Sequence, residues 1–378
     1  MKLFLLSVVV CASALLVGCA TTEPASSGTA NAVPTKDLVL WEYRDGVSHL
    51  RAGRFAEAKR TLDEAITTIS GIRANDKSAK QARGYFHKES KKTFLGEPYE
   101  RVMAYYYRGI LYWMDGEPDN ARACFRSAQL EDSDAEEHTF KSDYVLLDYL
   151  DGLASLKLRQ DGSDAYKRAC DLAKGLKLPA YDAQANVLMF VEFGNGPEKY
   201  AAGEYGEELR FRDGHSLVRS AVVKVDRDEF PTPPYDDLTF QARTRGGRVM
   251  DHILANKAVF KTSTDVAGNV GLISGLVLAT EGSGDARNAG IGLALAGALS
   301  KGISALTTPQ ADTRYWDNLP QFLSFTAFKL PPGDHEVKVE FEDASGRLLP
   351  QYTRRVNLHI PVGARDSVVF VSDKSTNF

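Results

Sequence analysis

Cysteine is scarce in this sequence: four residues, with no Cys-x-x-Cys pair and no His-Cys cluster, so the common zinc and redox motifs are absent. Basic residues are no more abundant than acidic ones, 46 Lys and Arg against 50 Asp and Glu, which leaves nothing to displace counterions from a nucleic-acid backbone. No G-x-S-x-G elbow, P-loop, H-E-x-x-H or S-x-x-K is present. The glycines of GNVGLISG do not follow a strand with the acid that a dinucleotide site requires. The seven histidines are scattered; His215 and His335 stand beside aspartates at turns with no nucleophile at motif spacing. The reading is non-enzymatic, with no cofactor and no metal.

What is present begins at the N-terminus. Met1-Lys2 precedes an apolar run from Leu3 to Val17 that is shorter than the ~20 residues a spanning helix needs. It ends in Leu16-Val17-Gly18-Cys19, which resembles the lipobox of bacterial lipoproteins. That resemblance implies removal of residues 1–18 and acylation of the Cys19 thiol, with insertion in a bilayer through the acyl chains. Ala20 is similar to the outer-membrane sorting pattern, so a lipid-anchored, periplasm-facing outer-membrane location is expected. Removing the signal takes away Lys2 alone among the charges, for a mature net charge of −5. Residues 19–36 are rich in Ser, Thr, Ala and Pro and read as a flexible tether.

Two segments then repeat. Gly46, Gly53, Phe55, Ala58, Leu62 and Ala65 share their intervals of 7, 2, 3, 4 and 3 with Gly109, Gly116, Pro118, Ala121, Phe125 and Ala128. The pattern resembles the tetratricopeptide repeat, a helix pair whose small residues let the two helices approach while a larger side chain fills the gap. A degenerate third unit surrounds Gly152, Ala165 and Ala169. Residues 37–180 are therefore expected to form a helical solenoid of the tetratricopeptide kind. By repeat position, Tyr43, Val47, Leu50, Tyr106, Ile110 and Trp113 would line a concave partner-binding groove or pack against neighbouring helices. Cys124 and Cys170 fall on predicted helices, where either one disulfide or two separate thiols fits the spacing.

Beyond Pro179 the period changes from helix to strand. Val187–Phe193, ELRFR, SAVVKVD, Gln321–Leu330, Thr353–Ile360 and Ser367–Ser372 are strand candidates. Val337, Val339 and Phe341 alternate with Glu336, Lys338, Glu340 and Glu342, as in a half-buried antiparallel sheet. LPPGDHEVKVEFED resembles small β-sandwich modules of the PEGA type over one hairpin. The fold class expected is α+β, a helical solenoid followed by a β-sandwich-like domain at 181–262 plus 318–378. Residues 263–317 would insert a glycine- and alanine-rich helical hairpin, Asp265–Thr280 and Ala289–Leu306. Its small residues at every fourth position favour close helix packing. Asp312, Arg314 and Trp316 read as a structural junction.

The lipobox, the segment Tyr99 to Gln129, the glycine-rich middle and Asp312-Thr313-Arg314 with Trp316, Leu319 and Pro320 together resemble a bacterial family of tetratricopeptide-repeat-containing lipoproteins. The resemblance implies location and architecture and brings no catalytic residues. The expected function is an outer-membrane-anchored scaffold for an envelope protein partner, in envelope biogenesis or regulation of a cell-wall synthase. Two alternatives are a membrane-active secretion component working through the glycine-rich hairpin, and a peptidoglycan- or glycan-binding protein.

Overall fold

Why the chain folds as it does is clearest at its most apolar strand, Val187–Phe193, which is buried along its whole length. Alternation sends Val187, Met189, Val191 and Phe193 into one core, and Leu188 and Phe190 into another. A sheet with two apolar faces needs a cover on each side. Helices cover one face and a second sheet covers the other.

The computed structural model describes residues 35–75, 93–133, 142–203, 206, 208–244, 311–363 and 365–376. The fold class is mixed α+β, with a helical N-terminal part followed by strands. The helices are α1 (Leu38–Arg51), α2 (Phe55–Asn75), α3 (Pro98–Met114), α4 (Pro118–Asp132), α5 (Val145–Lys157), α6 (Ser163–Leu172) and α7 (Leu238–Arg243). The strands are β1 (Val187–Phe193), β2 (Glu198–Ala202), β3 (Glu208–Arg212), β4 (Ser220–Val225), β5 (Asp228–Thr232), β6 (Asp236–Asp237), β7 (Phe322–Phe328), β8 (Gly333–Glu342), β9 (Arg354–Ile360) and β10 (Ser367–Ser372).

Helices pack in consecutive pairs: α1 on α2, α3 on α4 and α5 on α6. The repeated glycines explain the closeness. A Cβ at Gly46 would lie 2.9 Å from Leu62, and one at Gly109 would lie 2.6 Å from Phe125, sixteen residues on in each case. Gly53 and Gly116 end the first helix of each pair with φ of +71° and +83°, a left-handed turn that glycine adopts without strain. Arg159 makes the same turn seven residues after Gly152, with φ of +58°. The third pair thus keeps the geometry after losing the residue best suited to it.

The Phe125 ring is itself fully buried beside Tyr106 and Trp113 and has nowhere to retreat. Gly109→Ala is expected to lower stability by about 1–3 kcal/mol through overpacking, offset in part by alanine's better helix propensity. Urea denaturation of the variant, and of the same change combined with Phe125→Leu, checks this: the smaller side chain should restore part of the loss.

The first sheet runs β10-β1-β7-β6, the second β5-β4-β8-β9, and β2 with β3 form a separate hairpin. β1 pairs parallel to β10 and antiparallel to β7. Val337, Val339 and Phe341 of β8 join Ala221, Val223 and Val225 of β4 in the core between the two sheets. On the other side, Phe190, Phe325 and Phe370 meet Tyr106, Trp113, Tyr149 and Tyr107 of the helices. The described helices and the helix-facing side of the β10-β1-β7-β6 sheet therefore share one core. The hairpin segments Asp265–Thr280 and Ala289–Leu306 lie outside the described residues. From that insertion, residues 311–317 are described and run as irregular backbone along the helices.

Candidate functional site

The groove residues expected from the repeat are all inside. Tyr43, Val47, Leu50, Tyr106, Ile110 and Trp113 are each at most 2 % exposed. The expected open groove is corrected here: the aromatic face of α3 is covered by β1, and that of α1 by the strap containing Trp316. The apolar free energy of covering these rings in the same chain exceeds that of leaving them wet.

What the sheet and strap bring to this face is charge. Glu192 is the one ionisable residue of β1, and alternation points it toward the helices. Its Oε1 accepts from Arg51 Nε at 2.6 Å and lies 2.5 Å from Arg51 Nη2, while Oε2 accepts from the Tyr107 hydroxyl at 2.5 Å. Arg51 also donates to the Asn318 carbonyl at 2.6 Å. Both members of the ion pair are buried. The segment after β10 closes the cluster: Thr376 donates its N–H to the Arg51 carbonyl, and Asp373 accepts from the Gly194 N–H at 3.0 Å. Burial and the neighbouring Arg51 hold the Lys374 ammonium down at about 8.

A second buried pair stands one turn from the start of α3. Lys199 of β2 donates to Glu100 Oε2 at 2.6 Å, and Glu100 Oε1 accepts the backbone N–H of Trp316 at 2.7 Å. Burial pushes the Glu100 carboxyl up and the Lys199 ammonium down, each opposed by the partner's charge. Lys199 also donates to the Arg314 carbonyl. A lysine with a lowered pKa is the type of group that catalyses as an amine. Here its side chain is 2 % exposed and committed to Glu100.

The strap residues Asp312, Arg314 and Trp316 sit at this seam. Arg314 pairs with Asp312 at 2.6 Å and with Asp37 at 2.5 Å. Trp316 stacks on Tyr43 with ring centroids 4.3 Å apart and planes 12° from parallel. Asn318 donates to the Arg44 carbonyl, and Arg44 donates to the Tyr315 carbonyl. The strap thereby stitches α1 to α3 and β2.

Asp236 adds a third element. Its two oxygens accept the N–H groups of Val145 and Leu146 at 2.7 and 3.0 Å, capping α5 from a distant strand. Burial raises this carboxyl to about 7. Elsewhere Cys124 and Cys170 are both unpaired, and burial lifts the Cys124 thiol to about 11. Among the described residues there is no group of three or more His, Cys, Asp or Glu side chains placed to hold a metal. Among them, too, no helix is long and apolar enough to cross a membrane.

Sequence reasoning passes over Arg51, Glu192, Lys199 and Asp236, and has Glu100 only within the segment Tyr99 to Gln129 that carries the family resemblance. For Glu192 a signal existed, a lone acid inside VLMFVEF, since a charge in a strand with both faces buried must find a partner. Comparison with known proteins returns nothing: no family model, no curated protein and no solved structure matches the chain.

Proposed function

We propose that this chain is a bacterial outer-membrane lipoprotein, held by acyl chains on Cys19, whose folded body docks an envelope protein and performs no catalysis. The observation that carries the reading is the order Lys2, apolar Leu3–Val17 and Leu16-Val17-Gly18-Cys19. Acylation at one cysteine by more than one chain gives stable anchorage, because each buried methylene contributes about 0.8 kcal/mol.

We further propose that the three helix pairs are units of the tetratricopeptide kind. Support comes from the matched close approaches at Gly46 and Gly109 and the matched turns at Gly53, Gly116 and Arg159. With the concave aromatic faces covered by the chain's own sheet and strap, partner docking falls to outer surfaces. The non-catalytic reading is supported by the buried acids Glu192, Glu100 and Asp236, whose oxygens all accept hydrogen bonds from within the fold.

Growth with an alkyne fatty acid tests the anchor. The wild-type chain is expected to take up label and to fractionate with the outer membrane, whereas Cys19→Ser should lose both. An unlabelled wild-type chain overturns the reading.

A further inference from the structure

Helix α1 keeps two large apolar side chains in water at its first turn and a half. Leu38 is 39 % exposed and Trp41 is 43 % exposed. They begin a solvent-facing stripe that continues as Asp45 and Ser48, so only the N-terminal end of this face is apolar. Lys36 precedes the pair beside Asp37, and the Arg44 guanidinium, paired with Asp317 at 2.8 Å, lies 5.8 Å over the Trp41 ring. A tryptophan and a leucine flanked by long cationic side chains form the composition of a membrane-interface anchor: the ring seeks the headgroup level while the cations stay in water.

This end of α1 is also where the chain enters the folded body, and the entry is rigid. The Lys36 carbonyl accepts the Phe94 N–H at 2.7 Å, and Asp37 is gripped by Arg314 at 2.5 Å. From Thr35 to Trp41 is about 9 Å at 1.5 Å per helical residue. Residues 20–34, all that separates Cys19 from Thr35, span at most about 55 Å even fully extended. An acylated Cys19 therefore confines this corner of the body to the neighbourhood of one bilayer, where effective concentration makes a two-residue contact count.

We propose that Leu38 and Trp41 dock onto the surface of the bilayer that holds Cys19, setting α1 with its first turn in the headgroup layer and Asp45 and Ser48 in water. The occupant of this patch is phospholipid, and the docking rests on the acylation proposed above. It orients the body: the seam containing Asp37, Arg314 and Phe94 faces the membrane, and the far end of α1 faces away from it.

The full acylated chain, reconstituted in phosphatidylethanolamine–phosphatidylglycerol vesicles with brominated acyl chains, tests this through tryptophan emission. Of three tryptophans, Trp113 and Trp316 are buried. Bromolipid should quench roughly a third of the emission, one indole in three. Trp41→Phe should abolish that quenching, and Leu38→Asp should at least halve it, with flotation of the vesicles and the acyl mass on Cys19 unchanged in both. Acylated, co-floating protein whose emission bromolipid leaves intact would overturn the docking and leave the anchor standing, as would quenching that survives Trp41→Phe. A chain without acyl mass on Cys19 would overturn the anchor and the docking with it.

Discussion

Glu192→Leu is expected to destabilise the protein by about 3–5 kcal/mol, the loss that follows when one member of a buried ion pair is removed. The leucine fits a strand that is otherwise wholly apolar, so the effect does not arise from packing. It arises from what is left behind. Arg51, 6 % exposed, would keep one hydrogen-bond acceptor, the Asn318 carbonyl, and the more distant charge of Asp373, and the Tyr107 hydroxyl would lose the acceptor it holds at 2.5 Å. A buried guanidinium stripped of its direct ion pair cannot escape by losing its proton. Urea denaturation followed by circular dichroism gives the number. Arg51→Met made together with Glu192→Leu should recover most of the loss, because an apolar pair of similar volume often matches a buried ion pair. A single Glu192→Leu chain within about 0.5 kcal/mol of wild type would show that the pair carries no such weight.

The second large effect belongs to the strap. Trp316→Ala should lower stability by about 3–5 kcal/mol, the usual range for deleting a buried large aromatic. The indole is 1 % exposed, lies flat on Tyr43 and leans on Tyr107, so its removal opens a cavity between α1 and α3. Stacking adds roughly 0.5–1.5 kcal/mol to the area term. The hydrogen bond from Trp316 to Glu100 comes from the backbone, so the substitution removes the ring and not this contact. Trp316→Phe should be far milder, since the indole Nε1 has no hydrogen-bond partner to lose. Denaturation midpoints separate the two variants. Equal losses for Ala and Phe would mean that ring shape at this position matters more than occupied volume.

How much of this was legible beforehand depends on whether the controlling interaction was local. β1 and β10 emerged from apolar runs at their observed limits, because a continuous run bounded by turn residues needs no knowledge of the partner. The repeat glycines were equally visible: a required close approach leaves a small residue at a fixed interval. β2, β5 and β6 were missed; they are short, half-exposed or polar, and pairing with β3, β4 and β7 defines them more than their own residues do. The groove failed for a related reason. Repeat position predicts which side chains share a face, and Tyr106 and Trp113 do face one way, but no local pattern says that a strand some eighty residues later will cover them. The same distance hides Arg51 with Glu192 and Lys199 with Glu100, whose partners are separated by 141 and 99 residues.

The parallel pairing of β1 with β10 has a kinetic consequence. Strand Val187–Phe193 finds one neighbour in Phe322–Phe328 and the other in Ser367–Ser372, and the Arg51 cluster is sealed by Asp373 and Thr376. Closing such long loops is slow, and their entropy is repaid only when both ends meet. As the chain emerges the paired helices can form early, yet the cover over their aromatic faces is complete only when Phe370 reaches Tyr107. Until then the nascent chain is a sticky intermediate, dependent on whatever shields it from its neighbours.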